Sequence, residues 1–97
     1  MVIITFKTIR EYSLKNTNAK VALFHWYNVV EKADWGTFAE VRNQFPTVDY
    51  VGSDRYVFNI KGNHYRLIAM IHFDTRTVYV RFIGTHAEYN KIIAGEV

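Results

Sequence analysis

From residue 55 to residue 83 the chain alternates apolar and polar side chains with only two short breaks, and this pattern constrains the fold more than any other. Residues 55–61, 64–73 and 77–83 are rich in Val, Ile, Tyr and Phe, which suit a pleated, half-buried surface. The breaks, Lys61-Gly62-Asn63 and Asp74-Thr75-Arg76, have room only for tight turns. Three antiparallel strands in a meander are therefore predicted. Alternation puts Tyr56, Phe58, Ile60, Tyr65, Leu67, Ala69, Ile71, Phe73, Val78, Val80 and Phe82 on one nearly all-apolar face. The other face is mixed, with Lys61, Arg66, His72, Tyr79 and Arg81 among apolar neighbours, Ile83 included.

An apolar sheet face needs a cover, and the first half of the chain supplies helices. Residues 2–6 are β-branched and aromatic and read as a short strand. Thr8-x-x-Glu11, Thr37-x-x-Glu40 and Thr85-x-x-Glu88 all have the spacing of a capping box, in which a hydroxyl and a carboxylate satisfy each other's orphan amides. They open helices over about 9–14, 38–45 and 86–94, with Pro46 ending the second and Gly95 the third. Between them, residues 19–33 carry a helical stripe of Ala22, Trp26, Val29, Val30 and Ala33. The expectation is one α+β domain over 1–97: a helical half to about residue 45, then the meander and final helix over about 55–95. A small antiparallel sheet carries helices on one face.

Composition narrows the function classes. At 97 residues there is room for one core. The absence of Cys removes disulfides, thiolate catalysis and Cys-ligated metals. No apolar run approaches ~18 residues, and the start lacks the basic, apolar form of a signal peptide, so a cytoplasmic protein with no membrane partner is expected. The net charge of +3 permits an anionic partner. No metal site or cofactor is expected: no His or carboxylate pair has the i, i+4 spacing of a metal-binding helix, and no glycine-rich phosphate loop is present.

The mixed face has the residue types for cutting RNA without metal. A base removes the 2′-hydroxyl proton, cations steady the charge on the phosphate, and an acid protonates the leaving oxygen. Arg66 and Arg81, on neighbouring strands, form a candidate phosphate clamp. His86 and Tyr89 share one side of the last helix at i, i+3, and the amides of its first turn suit an anion. Each residue also has a plain structural reading. The arginines can pair with surface carboxylates, His86 and Tyr89 can cover the sheet edge, and Lys61 and Lys91 can simply be solvated. His25 reads as a hydrogen-bonded histidine at the core edge, and Trp26 and Trp35 as core or partner-facing residues.

The stretches FNIKGNHYRLIAMI (58–71) and VYVRFIGTHAEY (78–89), with ADW and FPTVDYV upstream, resemble the HigB family of bacterial toxins within the wider RelE-like group. The resemblance runs over nearly the full length. It implies an α+β fold and an mRNA endonuclease acting on messages under translation by the ribosome, through 2′-hydroxyl attack that leaves a cyclic phosphate. It further implies a cognate helix-turn-helix antitoxin, held with the toxin in a hetero-oligomer. Carried over by position, Arg66 and Arg81 would contact the scissile phosphate. His86 and Tyr89 would serve proton transfer or base stacking, and Lys61 corresponds to lysines that related toxins use nearby for RNA binding. Tyr79, on the mixed face, and Lys91, on the last helix, are further candidate RNA contacts. A non-catalytic RNA- or protein-binding module using the same face is the competing expectation.

Overall fold

In a computed structural model describing residues 1–97, the chain forms a five-stranded sheet of order β1-β5-β4-β3-β2. The strands are β1 (Val2–Ile4), β2 (Asp49–Gly52), β3 (Arg55–Ile60), β4 (Tyr65–His72) and β5 (Thr77–Thr85). Helices α1 (Phe6–Lys15), α2 (Lys20–Lys32) and α3 (Phe38–Gln44) lie between β1 and β2, and α4 (His86–Tyr89) follows β5. The antiparallel meander β3–β4–β5 is present as the alternation predicts. β1 adds to its edge in parallel with β5, and β2 pairs antiparallel with β3 at the other edge. No helix is long and apolar enough to cross a membrane.

One core lies between sheet and helices. Ile9, Leu23, Trp26, Val30, Trp35 and Val41 from the helical half meet Phe58, Leu67, Ala69, Ile71, Val78 and Val80 from the sheet. Each large side chain removed from water contributes about 1.5–3 kcal/mol. The α2 stripe is centred on Leu23, Trp26 and Val30. Both tryptophans are core residues, and edge-to-face ring pairs (Trp26 with Phe58, Trp35 with Phe45) lock the helices to the sheet and to one another. His25, expected at the core edge with a hydrogen bond, is exposed on the outer side of α2.

Several boundaries differ from the sequence reading, each for a tertiary reason. Helix α1 begins at Phe6, so Thr8 and Glu11 lie inside it and form no capping box. Phe6 packs on Phe24 and Tyr27, which draws the helix start forward, and Glu11 pairs with Lys7 instead. At α3 the Thr37 hydroxyl accepts from the Glu40 amide, but the Glu40 carboxylate takes the Gly36 amide. β2 is unannounced because Asp49 and Gly52 are poor strand formers. Its hairpin turn uses Ser53 and Asp54 at φ of 52° and 62°, where an Asn-Gly pair would have been the readable signal.

The last helix is a single turn, His86–Tyr89, and does not run to residue 94 as expected. Thr85 does form its capping box with Glu88, at 2.8 and 3.1 Å. After Tyr89 the chain leaves the helix, and residues 94–96 form a short 3-10 turn against β2 and β3. Gly95 makes this approach possible, since a Cβ there would sit 3.0 Å from the Val51 carbonyl oxygen.

A β-bulge in β5 corrects the assignment of faces. Ile68 faces Phe82 and Ala69 faces Val80, so Arg81 is the extra residue. Beyond the bulge the alternation shifts by one. Ile83 turns to the core, and Phe82 joins Arg66 on the opposite face, the reverse of the strict period-2 reading.

Candidate active-site cleft

The face of the sheet away from the helices holds a cleft of about 430 Å³. Its floor is Val57 and Asn59 of β3 with Arg66 of β4, one wall is the α3–β2 connection Pro46–Asp49, and Tyr89 of α4 closes the other side. Arg66 reaches this place because β4 is central and its even-numbered residues all face away from the helices. Asn59 stands directly opposite it on β3 and Gly84 on β5. Tyr89 reaches it because the capping box starts α4 directly at the end of β5.

Arg66 carries a charge that no carboxylate neutralises. Its only hydrogen bond is from Nη1 to the Asn63 carbonyl, at 3.4 Å, and it forms no ion pair. Its guanidinium carbon sits 5.7 Å from the centre of the Tyr89 ring. The one acidic group lining the cleft is Asp49, on the facing wall. A planar cation beside an aromatic ring, in an open cleft, suits a phosphate with an attached base: the fork accepts the phosphate oxygens and the ring offers a stacking surface. Phe82 adds a second ring to this face. It lies over Gly84, where a Cβ would come within 2.5 Å of its Cζ.

The other expected site residues are not in the cleft lining. Arg81, exposed at the bulge, directs its Nε to the Val97 main-chain oxygen at 3.3 Å. His86 is exposed at the start of α4, where its amide is bonded to the His64 carbonyl. A single turn has little macrodipole, so α4 offers less to an anion than a full helix would. Lys61 is exposed in the β3–β4 turn at φ 53°, and Lys91 is exposed beyond α4. Tyr79 stacks edge-to-face on His72 at 5.4 Å, toward the other end of β4. Thus the fold unites Arg66 and Tyr89 in the cleft and leaves Arg81, His86, Lys61, Tyr79 and Lys91 outside its lining. Asn59 and the Pro46–Asp49 wall are additions. Strand register made Asn59 findable, whereas the wall depends on how α3 meets the unannounced β2. No three His, Asp or Glu side chains cluster in a way that could hold a metal ion.

A helix-covered sheet with this cleft on its open face is an α+β fold of the RelE-like toxin kind. The family model for HigB toxins, RelE-like toxic components of toxin–antitoxin systems, matches residues 19–92. The chain is 35% identical over 94 residues to "mRNA interferase HigB" of Escherichia coli O6:H1, covering 95% of this chain and 91% of that protein. It is 31% identical over 97 residues to "mRNA interferase HigB" of Shigella flexneri, covering 97% and 92%. The chain belongs to the HigB toxin family, and as the toxic component of such a system it has an antitoxin as its partner.

Proposed function

We infer that this chain is an mRNA interferase, the toxin of a type II toxin–antitoxin pair, and that it cuts RNA at the Arg66–Tyr89 cleft. The single observation that carries the site assignment is the unneutralised guanidinium of Arg66 beside the Tyr89 ring. The names of the relatives, mRNA interferases over nearly their whole length, support the substrate.

In this mechanism the 2′-hydroxyl loses its proton to a base and its oxygen bonds to the adjacent phosphorus. The bond from phosphorus to the 5′-oxygen then breaks and that oxygen takes up a proton, leaving a 2′,3′-cyclic phosphate and a 5′-hydroxyl. Arg66 steadies the extra negative charge at the phosphate, a role worth about 2.7–4 kcal/mol for one well-placed donor elsewhere. Tyr89 stacks the base beside the cut. His86, three residues before Tyr89 on the same turn, moves the proton. Arg81, at the bulge and outside the cleft, contacts a neighbouring phosphate, and Lys61, Tyr79 and Lys91 track the flanking RNA. The reaction needs no metal. It takes place in the cytoplasm on mRNA held by the ribosome, and a helix-turn-helix antitoxin restrains it.

The test is inducible expression followed by mapping of mRNA 5′ ends. Wild type should arrest growth and create new ends in translated regions that vanish when translation is blocked, and Arg66→Ala should do neither. Growth arrest without new ends would contradict this reading, and RNA retained at full length would favour a non-catalytic binding module.

A further inference from the structure

Arg55 of β3 has no part in the cleft, yet it is held in place by three hydrogen bonds. Its Nε and Nη2 donate to the Val97 main-chain oxygen at 3.0 and 2.8 Å, and its Nη1 to the Ser53 carbonyl at 2.8 Å. The Nε of Arg81 reaches the same Val97 oxygen at 3.3 Å. Neither arginine is paired with an Asp or Glu side chain. Two guanidinium groups, one from β3 and one from the bulge of β5, therefore converge on one main-chain oxygen. One oxygen serves three of their N–H groups, whereas a phosphate presents several anionic acceptors to both forks.

We propose that Arg55 and Arg81 form a second phosphate site for the RNA backbone, and that the segment Ala94–Val97 occupies it until RNA displaces it. The inference rests on the RNA-cutting reading of the cleft. Arg55 faces Met70 across the β3–β4 ladder and Arg66 faces Asn59, so the two arginines stand four residues apart on one sheet face. At ~3.3 Å per residue this is about 13 Å, a distance a short single strand bridges. The occupying segment is easily released. It contains no large buried side chain and the Ile93 that precedes it is 67% exposed; it is tied to the sheet by the close pass of Gly95 to Val51 and by the two arginines' bonds to Val97.

The test uses the full chain and a short RNA 2′-O-methylated at every position, which cannot be cut, with binding measured across a salt series. Arg55→Ala should lower the slope of log affinity against log salt by about 0.7, the value for one phosphate contact on a single strand, and Arg55→Lys should restore it. Gly95→Ala pushes the segment away from Val51 and should tighten binding severalfold in wild type but not in the Arg55→Ala background. Circular dichroism verifies that each variant is folded. An unchanged slope in Arg55→Ala, or no gain from Gly95→Ala, overturns the proposal. If wild type binds and cuts all-ribose RNA while the Arg55 slope is unchanged, only this second site falls. If wild type binds no RNA, the cleft reading falls with it.

Discussion

Arg66 of β4 and Tyr89 of α4, 23 positions apart in the sequence, meet in the cleft with the guanidinium carbon 5.7 Å from the ring centre. The strand supplies the charge and the helix supplies the flat surface. A contact of this type is worth about 0.5–1 kcal/mol where water has access, so its main effect is to position two groups that RNA can use.

The ring of Tyr89, more than its hydroxyl, should therefore govern RNA affinity. Tyr89→Phe is expected to bind a non-cleavable RNA as wild type does. Tyr89→Ala should bind roughly tenfold more weakly, in line with ~1–3 kcal/mol per stacked base. Fluorescence anisotropy measures both, and equal losses in the two variants would assign the role to the hydroxyl.

Gly84→Ala should damage both stability and RNA binding. The added methyl would meet Phe82 Cζ at 2.5 Å, so the ring must leave its place over Gly84, the residue opposite Arg66. Overpacking of this kind costs about 1–3 kcal/mol. Urea unfolding should show that loss, and Gly84→Ala with Phe82→Ala should recover most of it.

The two buried tryptophans should respond differently to replacement by Phe. Trp35 donates from Nε1 to Gln44 Oε1 at 2.6 Å, whereas the Nε1 of Trp26 is buried with no partner. Trp26→Phe removes an unpaired donor along with volume, and Trp35→Phe loses a bond along with volume. Trp35→Phe should be the more destabilising by about 1–2 kcal/mol in chemical denaturation. The reverse order would contradict the hydrogen-bond assignment.

Alkaline pH should destabilise the fold. Burial pushes the Tyr12, Tyr27 and Tyr56 hydroxyls upward, with Glu88 and Tyr65 adding at Tyr12, Glu31 at Tyr27, and Tyr50 and Asp54 at Tyr56. Their folded values thus exceed the ordinary value of about 10. The stability they contribute is complete below that value and is lost as pH rises through the folded values, because the unfolded chain ionises first. The urea midpoint should fall above about pH 10, and Tyr56→Phe should flatten that fall.

The meander and its core face were legible because period-2 alternation is a local property that burial of one face enforces. Phe82 and Ile83 were misassigned because a bulge is set by two strands together, and nothing near Arg81 in the chain announces it. The last helix was read too long for a similar reason. Its cap is local, but its end is decided by Gly95 approaching Val51 and by Arg55 and Arg81 binding Val97. The placement of Arg66 on the sheet face away from the core, and of Tyr89 one turn after the Thr85 cap, was legible because each follows from one element's own geometry. The Pro46–Asp49 wall was not, because it requires knowing that residues 49–52 pair with β3.

The central claim is that the unneutralised charge of Arg66 drives RNA cleavage without metal. The most direct measurement is single-turnover cleavage of an all-ribose RNA in EDTA by wild type, Arg66→Ala and Arg66→Lys. Wild type should cut and leave a cyclic phosphate, Arg66→Ala should be slower by about 10²–10³ with its fold intact, and Arg66→Lys should fall between them. A folded Arg66→Ala protein that cuts at the wild-type rate would contradict the account.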